Sequence, residues 1–165
     1  MNRQSKQPYK KSQAVKQLEK MANIAARAKN PNIPPEWLAP RKYRDDSANN
    51  LTKCIIHFIR LIGGQAERIA NMGSLIDTRV TFNDVTDRTR TIGSKKWIKG
   101  TGTNGTADVS ATIKGRSVKV EVKHGKDRQS EVQCLYQRNI ELAGGLYVIA
   151  TTFEQFYNWY NLKFE

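Results

Sequence analysis

Residues 108 to 123 read DVSATIKGRSVKVEVK, and two runs of alternation inside this stretch decide the fold. Val109, Ala111 and Ile113 alternate with Asp108, Ser110 and Thr112, and Val118, Val120 and Val122 alternate with Ser117, Lys119, Glu121 and Lys123. Period two marks a strand that buries one face only. A two-residue turn at Lys114-Gly115 joins the strands as a hairpin that sets Ile113 against Arg116, Ala111 against Val118 and Val109 against Val120. A three-residue turn would slip the pairing by one and put valines against the polar face, so the apolar pattern selects the register. That register sets Asp108 opposite Glu121, with Lys123 projecting from the same face two residues on.

C-terminal to the hairpin, Ser130-Glu131-Val132-Gln133 is a capping-box sequence, and Val132, Leu135, Tyr136, Ile140 and Ala143 form one helical stripe before Gly144-Gly145. The apolar run from Leu146 to Thr151 has strand length and suits the buried centre of a sheet, while Phe153, Phe156, Tyr157 and Tyr160 give a last helix its inward face. N-terminal to the hairpin, Leu51, Cys54, Ile55, Phe58 and Ile62 recur at helical spacing, and Gly63-Gly64 closes that helix. Ala66 to Ala70 reads as a short strand. Residues 71 to 99 are polar and punctuated by Gly and Asp, with Val80-Thr81-Phe82 and Thr91-Ile92-Gly93 as candidate hairpin arms. The order is αβββαβα, an α/β fold.

The chain of 165 residues is about one domain long and needs no disulfide or zinc staple to bury a core. It carries 28 Lys or Arg against 15 Asp or Glu, a net charge of +13 that favours a polyanion, nucleic acid first. Residues 1 to 46 hold eleven basic and four acidic residues, so seven of the thirteen net positive charges lie there. This segment reads as a basic arm, partly disordered or helical. Its helical candidate is Ser12 to Lys29, with Val15, Leu18, Ile24 and Ala25 on one side, and Pro31, Pro34 and Pro35 stop it. Residues 47 to 165 form the folded domain.

Cys54 and Cys134 stand in no CxxC or Cys/His cluster and read as reduced, half-buried core thiols. Lys53, His57 and Arg60 interrupt the most apolar segment, and the N-terminus has no apolar run of signal-peptide type. The expectation is a soluble, cytoplasmic protein of a bacterial or phage-infected cell, with no membrane partner.

Two carboxylates and a lysine on one face of a hairpin match a definite chemistry. Phosphodiester hydrolysis uses a divalent cation to screen the phosphate and activate water, and Mg²⁺ is commonly held by one or two carboxylates plus substrate oxygens. Asp108 and Glu121 supply those carboxylates.

An αβββαβ core with an acid opening its second strand and Glu-x-Lys on its third resembles the PD-(D/E)XK nucleases. Here Gly105-Thr106-Ala107-Asp108 has Ala-Asp in place of the usual Pro-Asp. Glu121-Val122-Lys123, then Gly125-Lys126-Asp127-Arg128-Gln129-Ser130 with Gln133, then Ala143-Gly144-Gly145-Leu146-Tyr147, is similar to the virus-type replication-repair nuclease (VRR-NUC) family, phage- and prophage-encoded members in particular. The resemblance runs from about Leu51 to Tyr160. It implies a restriction-endonuclease-like core, a central mixed sheet flanked by helices, in residues 47 to 165. It implies a DNA endonuclease dependent on Mg²⁺ or Mn²⁺, acting on branched, flap or junction DNA in replication, recombination or repair, with a homodimer left open as a possible assembly.

The same resemblance implies Asp108, Glu121 and the Val122 carbonyl as metal ligands, and Lys123 as the cation that orients or helps deprotonate the attacking water. Gln133 matches the family's glutamine on the following helix, and the capping box offers it an equally good structural role. Family members often carry a further acid on the first helix, where this chain reads Ala48-Asn49-Asn50-Leu51. Asp45, Asp46 or Glu67 could substitute, or the second metal ion could come only with substrate. A DNA-binding module that keeps the fold without turnover is the alternative function.

Lys126 and Arg128 lie between Lys123 and the helix start, within reach of phosphates flanking the scissile bond. Arg88, Arg90, Lys95, Lys96 and Lys99 form a second basic group, of which Lys95, Lys96 and Lys99 are assigned to DNA contact. Trp97 among them stacks on an exposed base or packs over the sheet edge. His57 reads as a surface or half-buried packing residue. Alternation turns His124 away from Lys123, to a structural role.

Overall fold

The structure is a computed structural model that describes residues 9–69, 73–98, 100 and 102–165. Among the described residues four α-helices and eight strands follow in the order α1 (Gln13–Lys29), α2 (Ala48–Leu61), β1 (Gln65–Arg68), β2 (Ser74–Asp77), β3 (Val80–Asn83), β4 (Thr89–Ile92), β5 (Lys95–Ile98), β6 (Val109–Ile113), β7 (Arg116–Val122), α3 (Glu131–Leu142), β8 (Leu146–Ala150) and α4 (Phe153–Phe164), with a short 3-10 helix (Pro35–Trp37) between α1 and α2. The architecture is mixed α/β around a four-stranded sheet of order β1-β6-β7-β8. β1, β6 and β7 run antiparallel, and β8 joins β7 in parallel after the α3 crossover.

The β6–β7 hairpin has the predicted register, with Val109 on Val120, Ala111 on Val118 and Ile113 on Arg116. Its turn is Lys114-Gly115 at φ 46° and 76°. Positive φ at both central residues is the primed turn whose twist matches a two-residue hairpin, and glycine takes the second position without strain.

Val109, Ala111, Ile113, Val118, Val120, Val122, Val148 and Ala150 point to one face of the sheet and meet the apolar stripes of α2 and α4. Phe58 of α2 is the hub, with the rings of Phe153, Phe156, Tyr157 and Tyr160 at 5.1 to 6.2 Å from its own in edge-on arrangements. Burying such a ring stabilises the fold by about 2–3 kcal/mol, so this cluster anchors the α2–α4 contact.

Of the two readings left open for the basic segment, the helical one holds over residues 13–29, and α1 packs on α2 and α4 with Ala14, Val15, Leu18 and Ala22 buried. Ile24, placed on the packed side by the sequence, is 67 % exposed. It stands two residues, some 200° of helix rotation, past Ala22.

Other expectations are corrected. The apolar β8 is an edge strand rather than the centre of the sheet. Its burial comes from helices on its two faces, α4 under Val148 and Ala150 and α3 over Tyr147. α3 has no fully buried residue, and Val132 and Leu135 of its predicted stripe are exposed, because β8 is the element beneath it. Cys134 on this helix is exposed, whereas Cys54 is fully buried in the core.

The polar region between β1 and β6 holds two ladders rather than one, β2 with β5 and, nested inside it, β3 with β4. Thr78 bonded to Ser94 joins them in one register. All sixteen strand residues are exposed, and Trp97, 62 % exposed, sits across from Leu75 of this ribbon rather than over the edge of the main sheet. No helix among the described residues is long and apolar enough to cross a membrane.

Candidate active site

The face of the main sheet opposite the aromatic core carries Ser110, Thr112, Ser117, Lys119 and Glu121, the polar members of the alternation. At the carboxyl end of β7, α3 covers part of this face, and there the predicted residues converge.

Asp108 is the residue before β6, and the β6–β7 ladder ends at Val109–Val120 instead of continuing to an Asp108–Glu121 pair. The Asp108 side chain continues it in another way: Oδ2 accepts the Val122 N–H at 2.9 Å. The Asp108 carbonyl accepts the N–H of Ile69, tying the site to the end of β1. Gly105, three residues upstream, has φ +75° and lies so close to α3 that a Cβ would come within 2.6 Å of the Val132 carbonyl. Glycine there lets the loop that delivers Asp108 rest on the helix that delivers Gln133.

Glu121 is 2 % exposed. Its Oε1 pairs with the Lys123 ammonium at 3.0 Å and accepts from Gln133 Nε2 at 2.5 Å, and its Oε2 accepts from the Tyr147 hydroxyl at 3.4 Å. Burial pushes its carboxyl above the usual range, the Lys123 ammonium opposes this, and the negative charge of Asp108 adds to it. A carboxylate so placed favours a nearby cation, because the charged form is otherwise short of solvation.

Lys123 is 7 % exposed. Burial alone would lower its ammonium, but hydrogen bonds and charge from Glu121, then Asp127, outweigh burial and hold it above the ordinary lysine value. It is a cation throughout the neutral range. Burial and the charge of Glu121 also raise the Tyr147 phenol, so Tyr147 stays protonated and donates.

Gln133 forms the capping box and also reaches Glu121 and Lys123. Its Oε1 accepts the Ser130 N–H at 3.0 Å and its N–H donates to Ser130 Oγ, the two halves of a capping box. The same amide donates to Glu121 and accepts from Lys123 at 3.1 Å. The helix cap is thereby the clamp that orients the acid and the lysine.

Three further contacts were not foreseen. Tyr147 belongs to an apolar run, and only the parallel register, with Lys119 on Tyr147 and Glu121 on Ile149, turns its hydroxyl toward Glu121. Gln129 supports that hydroxyl at 3.5 Å. Asp127 Oδ2 lies 3.3 Å from Lys123 Nζ, four residues along the chain.

Lys126, Arg128 and His124 are exposed on the loop before α3. Lys95 and Lys96 are exposed on the ribbon, Lys95 turned toward Asp77 at 3.7 Å. Lys99 lies outside the described residues. His57 is half-buried, its Nδ1 bonded to the Tyr43 hydroxyl.

Among the three substitutes for a first-helix acid, Asp45 is occupied, accepting the Phe153 N–H at 3.0 Å and the Tyr9 hydroxyl at 2.6 Å. Asp46 pairs with Arg44 and Asn50. Glu67 on β1 pairs with Ser110, which pairs with Lys119, so it shares the face of Glu121 but lies two strands across and two residues along from it. Among the described residues no three His, Cys, Asp or Glu side chains come close enough together to hold a metal ion.

The donors that the sequence puts forward for a metal, the Asp108 and Glu121 carboxylates and the Val122 carbonyl, are all hard oxygens. That fits a magnesium-type cation completed by water and substrate oxygens, and does not fit an all-protein cage or a zinc site. In comparisons with known proteins, no family model and no curated protein matches the chain.

Proposed function

We propose that the protein is a metal-dependent DNA endonuclease with a restriction-endonuclease-like core of the VRR-NUC type, hydrolysing phosphodiester bonds in branched, flap or junction DNA. The observation that carries this reading is the convergence, at one end of the β6–β7 hairpin, of Asp108, Glu121 and a buried Lys123 3.0 Å from Glu121. Mg²⁺ or Mn²⁺ would be held by Asp108, Glu121 and the Val122 carbonyl, and would supply charge neutralisation at the phosphate and activation of water.

The side chains account for the rest. Lys123, charged at neutral pH and held by Glu121 and Gln133 on its buried side, is suited to offset negative charge growing on the scissile phosphate and to orient the attacking water. Gln133 and Tyr147 donate to the two oxygens of Glu121 and hold its carboxylate in one orientation. Lys126 and Arg128, exposed on the adjoining loop, are suited to phosphates beside the cut. The net charge of +13 supplies affinity without sequence choice.

A second reading, a DNA-binding module that keeps this fold without turnover, is favoured by the lack of a third converging acid among the described residues. One panel separates the two. Wild type and Asp108→Ala are incubated with single-stranded, duplex, flap and four-way-junction DNA in Mg²⁺, Mn²⁺ or chelator. The nuclease cuts only with metal, and Asp108→Ala binds without cutting. Salt-sensitive binding by a wild type that cuts none of these substrates establishes the module.

A further inference from the structure

Lys123 has three ammonium hydrogens and three acceptors around it: Glu121 Oε1 at 3.0 Å, Gln133 Oε1 at 3.1 Å and Asp127 Oδ2 at 3.3 Å. One is a hydrogen bond, to Gln133, and the other two are ion pairs. A phosphate oxygen or a water brought to this ammonium competes with all three.

The three differ in how firmly they are held. Glu121 is 2 % exposed and carries bonds from Gln133 and Tyr147 as well. Gln133 is locked by the capping box at the start of α3. The Asp127 side chain is 58 % exposed, and its carboxylate has no second side-chain or backbone partner among the described residues. It stands in a turn closed by its own N–H to the His124 carbonyl, with Gly125 at φ +64° inside the turn.

We infer that Asp127 is a displaceable positioning residue: its carboxylate occupies the third donor of Lys123 in the free protein and is exchanged for an oxygen of the bound phosphodiester. The inference rests on the proposed reading that DNA phosphate enters at Lys123. It gives a role to the Asp127 of the Gly125–Ser130 motif that metal binding leaves unused, since Asp127 reaches Lys123 and belongs to no converging group of acids. The free site holds its lysine charged and aimed, with an exposed carboxylate in the place of the substrate's anion. Entry of DNA must compete with that carboxylate, so Asp127 lowers the affinity for a phosphate that reaches Lys123.

The test is a cycle of DNA-binding measurements in chelator, where cleavage does not intervene, using a fluorescein-labelled four-way junction and wild type, Asp127→Asn, Lys123→Met and the double variant. Asp127→Asn is expected to bind about two- to five-fold more tightly, the range of a partly exposed ion pair. The gain is expected to vanish when Lys123 is Met. Because Lys123→Met leaves Glu121 buried without its cation, the cycle is repeated in a Glu121→Gln/Lys123→Met background, which removes both charges. In Mg²⁺, Asp127→Asn is expected to lower KM with little change in kcat, the split for a competitor removed from the ground state. Unchanged affinity in Asp127→Asn overturns the inference, and so does a gain that persists without Lys123, which would be a general charge effect. The nuclease reading fails separately: coupling between Asp127 and Lys123 in a wild type that cuts no DNA keeps the exchange and removes the enzyme, whereas cutting without coupling does the reverse.

Discussion

Gln133 joins a helix cap and a contact to the proposed site in one side chain, and the two can be separated by mutation. Ser130→Ala removes the cap hydroxyl and leaves the Glu121 contact, whereas Gln133→Ala keeps the hydroxyl bond to its backbone N–H and removes the other half of the capping box together with the Glu121 contact. Each is expected to destabilise the fold by about 1 kcal/mol, the usual value of a helix cap, read as a shift in urea midpoint. Cleavage should fall in Gln133→Ala alone. Equal activity loss in both variants would make Gln133 a cap and nothing more. His57 gives a pH prediction at the same scale. Burial first, then the charges of Arg41, Arg60 and Lys29, hold its imidazole below the ordinary value. It binds a proton more readily unfolded than folded, so its stabilising contribution is full above the unfolded value of about 6.5 and is lost as pH falls below that toward the folded value. Thermal melts from pH 7.5 to 5 should show wild type losing stability more steeply than His57→Asn; parallel curves would remove His57 as the cause.

At the scale of elements, the loop from Gly105 to Asp108 is held between β7 and α3. Gly105→Ala must place a methyl against the Val132 carbonyl at a positive φ, with an expected cost of about 1–3 kcal/mol and loss of any thermal stabilisation by Mg²⁺. Gly115→Ala, open to solvent at a similar φ, should lose stability without that second effect. Differential scanning fluorimetry with and without Mg²⁺ reads both. The hairpin was legible from the sequence because period two and a two-residue turn leave one register that buries every valine. The clamp was legible in part, since the capping box announces Gln133 but only the packing of α3 over β8 brings it to Glu121. β8 was misplaced because an apolar run reports burial on both faces, and helices can supply that at an edge as well as strands can at a centre. The stripe of α3 misled for a related reason: amphipathic spacing shows which side turns inward, while the depth of burial depends on how much sheet lies beneath. Tyr147 and Asp127 carry no local pattern that marks them. A parallel register and a turn, both set by tertiary structure, bring them to the site.

For the whole molecule, the basic N-terminal segment has two parts with different duties. Residues 13–29 bury Val15 and Leu18 against α2 and α4, so Leu18→Ala is expected to cost about 2–5 kcal/mol, as large-to-small changes in a packed core do. Chemical denaturation monitored by tryptophan fluorescence checks this, and a loss under 1 kcal/mol would show α1 to be dispensable. The lysines on its outer side are exposed and add to the excess positive charge that, in the proposed function, would draw DNA to the protein. The face directed at the aromatic core holds the molecule together, and the opposite face, with Lys119, Glu121 and Lys123 in one row along β7, is where the proposed chemistry takes place. The central claim is that this row acts with a divalent metal on phosphodiesters. Single-turnover cleavage of a four-way junction in Mg²⁺ by wild type and by the isosteric Glu121→Gln tests it most directly. The account predicts that Glu121→Gln binds the junction as wild type does and cuts it slower by about 10²-fold or more; equal cutting rates in the two proteins would contradict it.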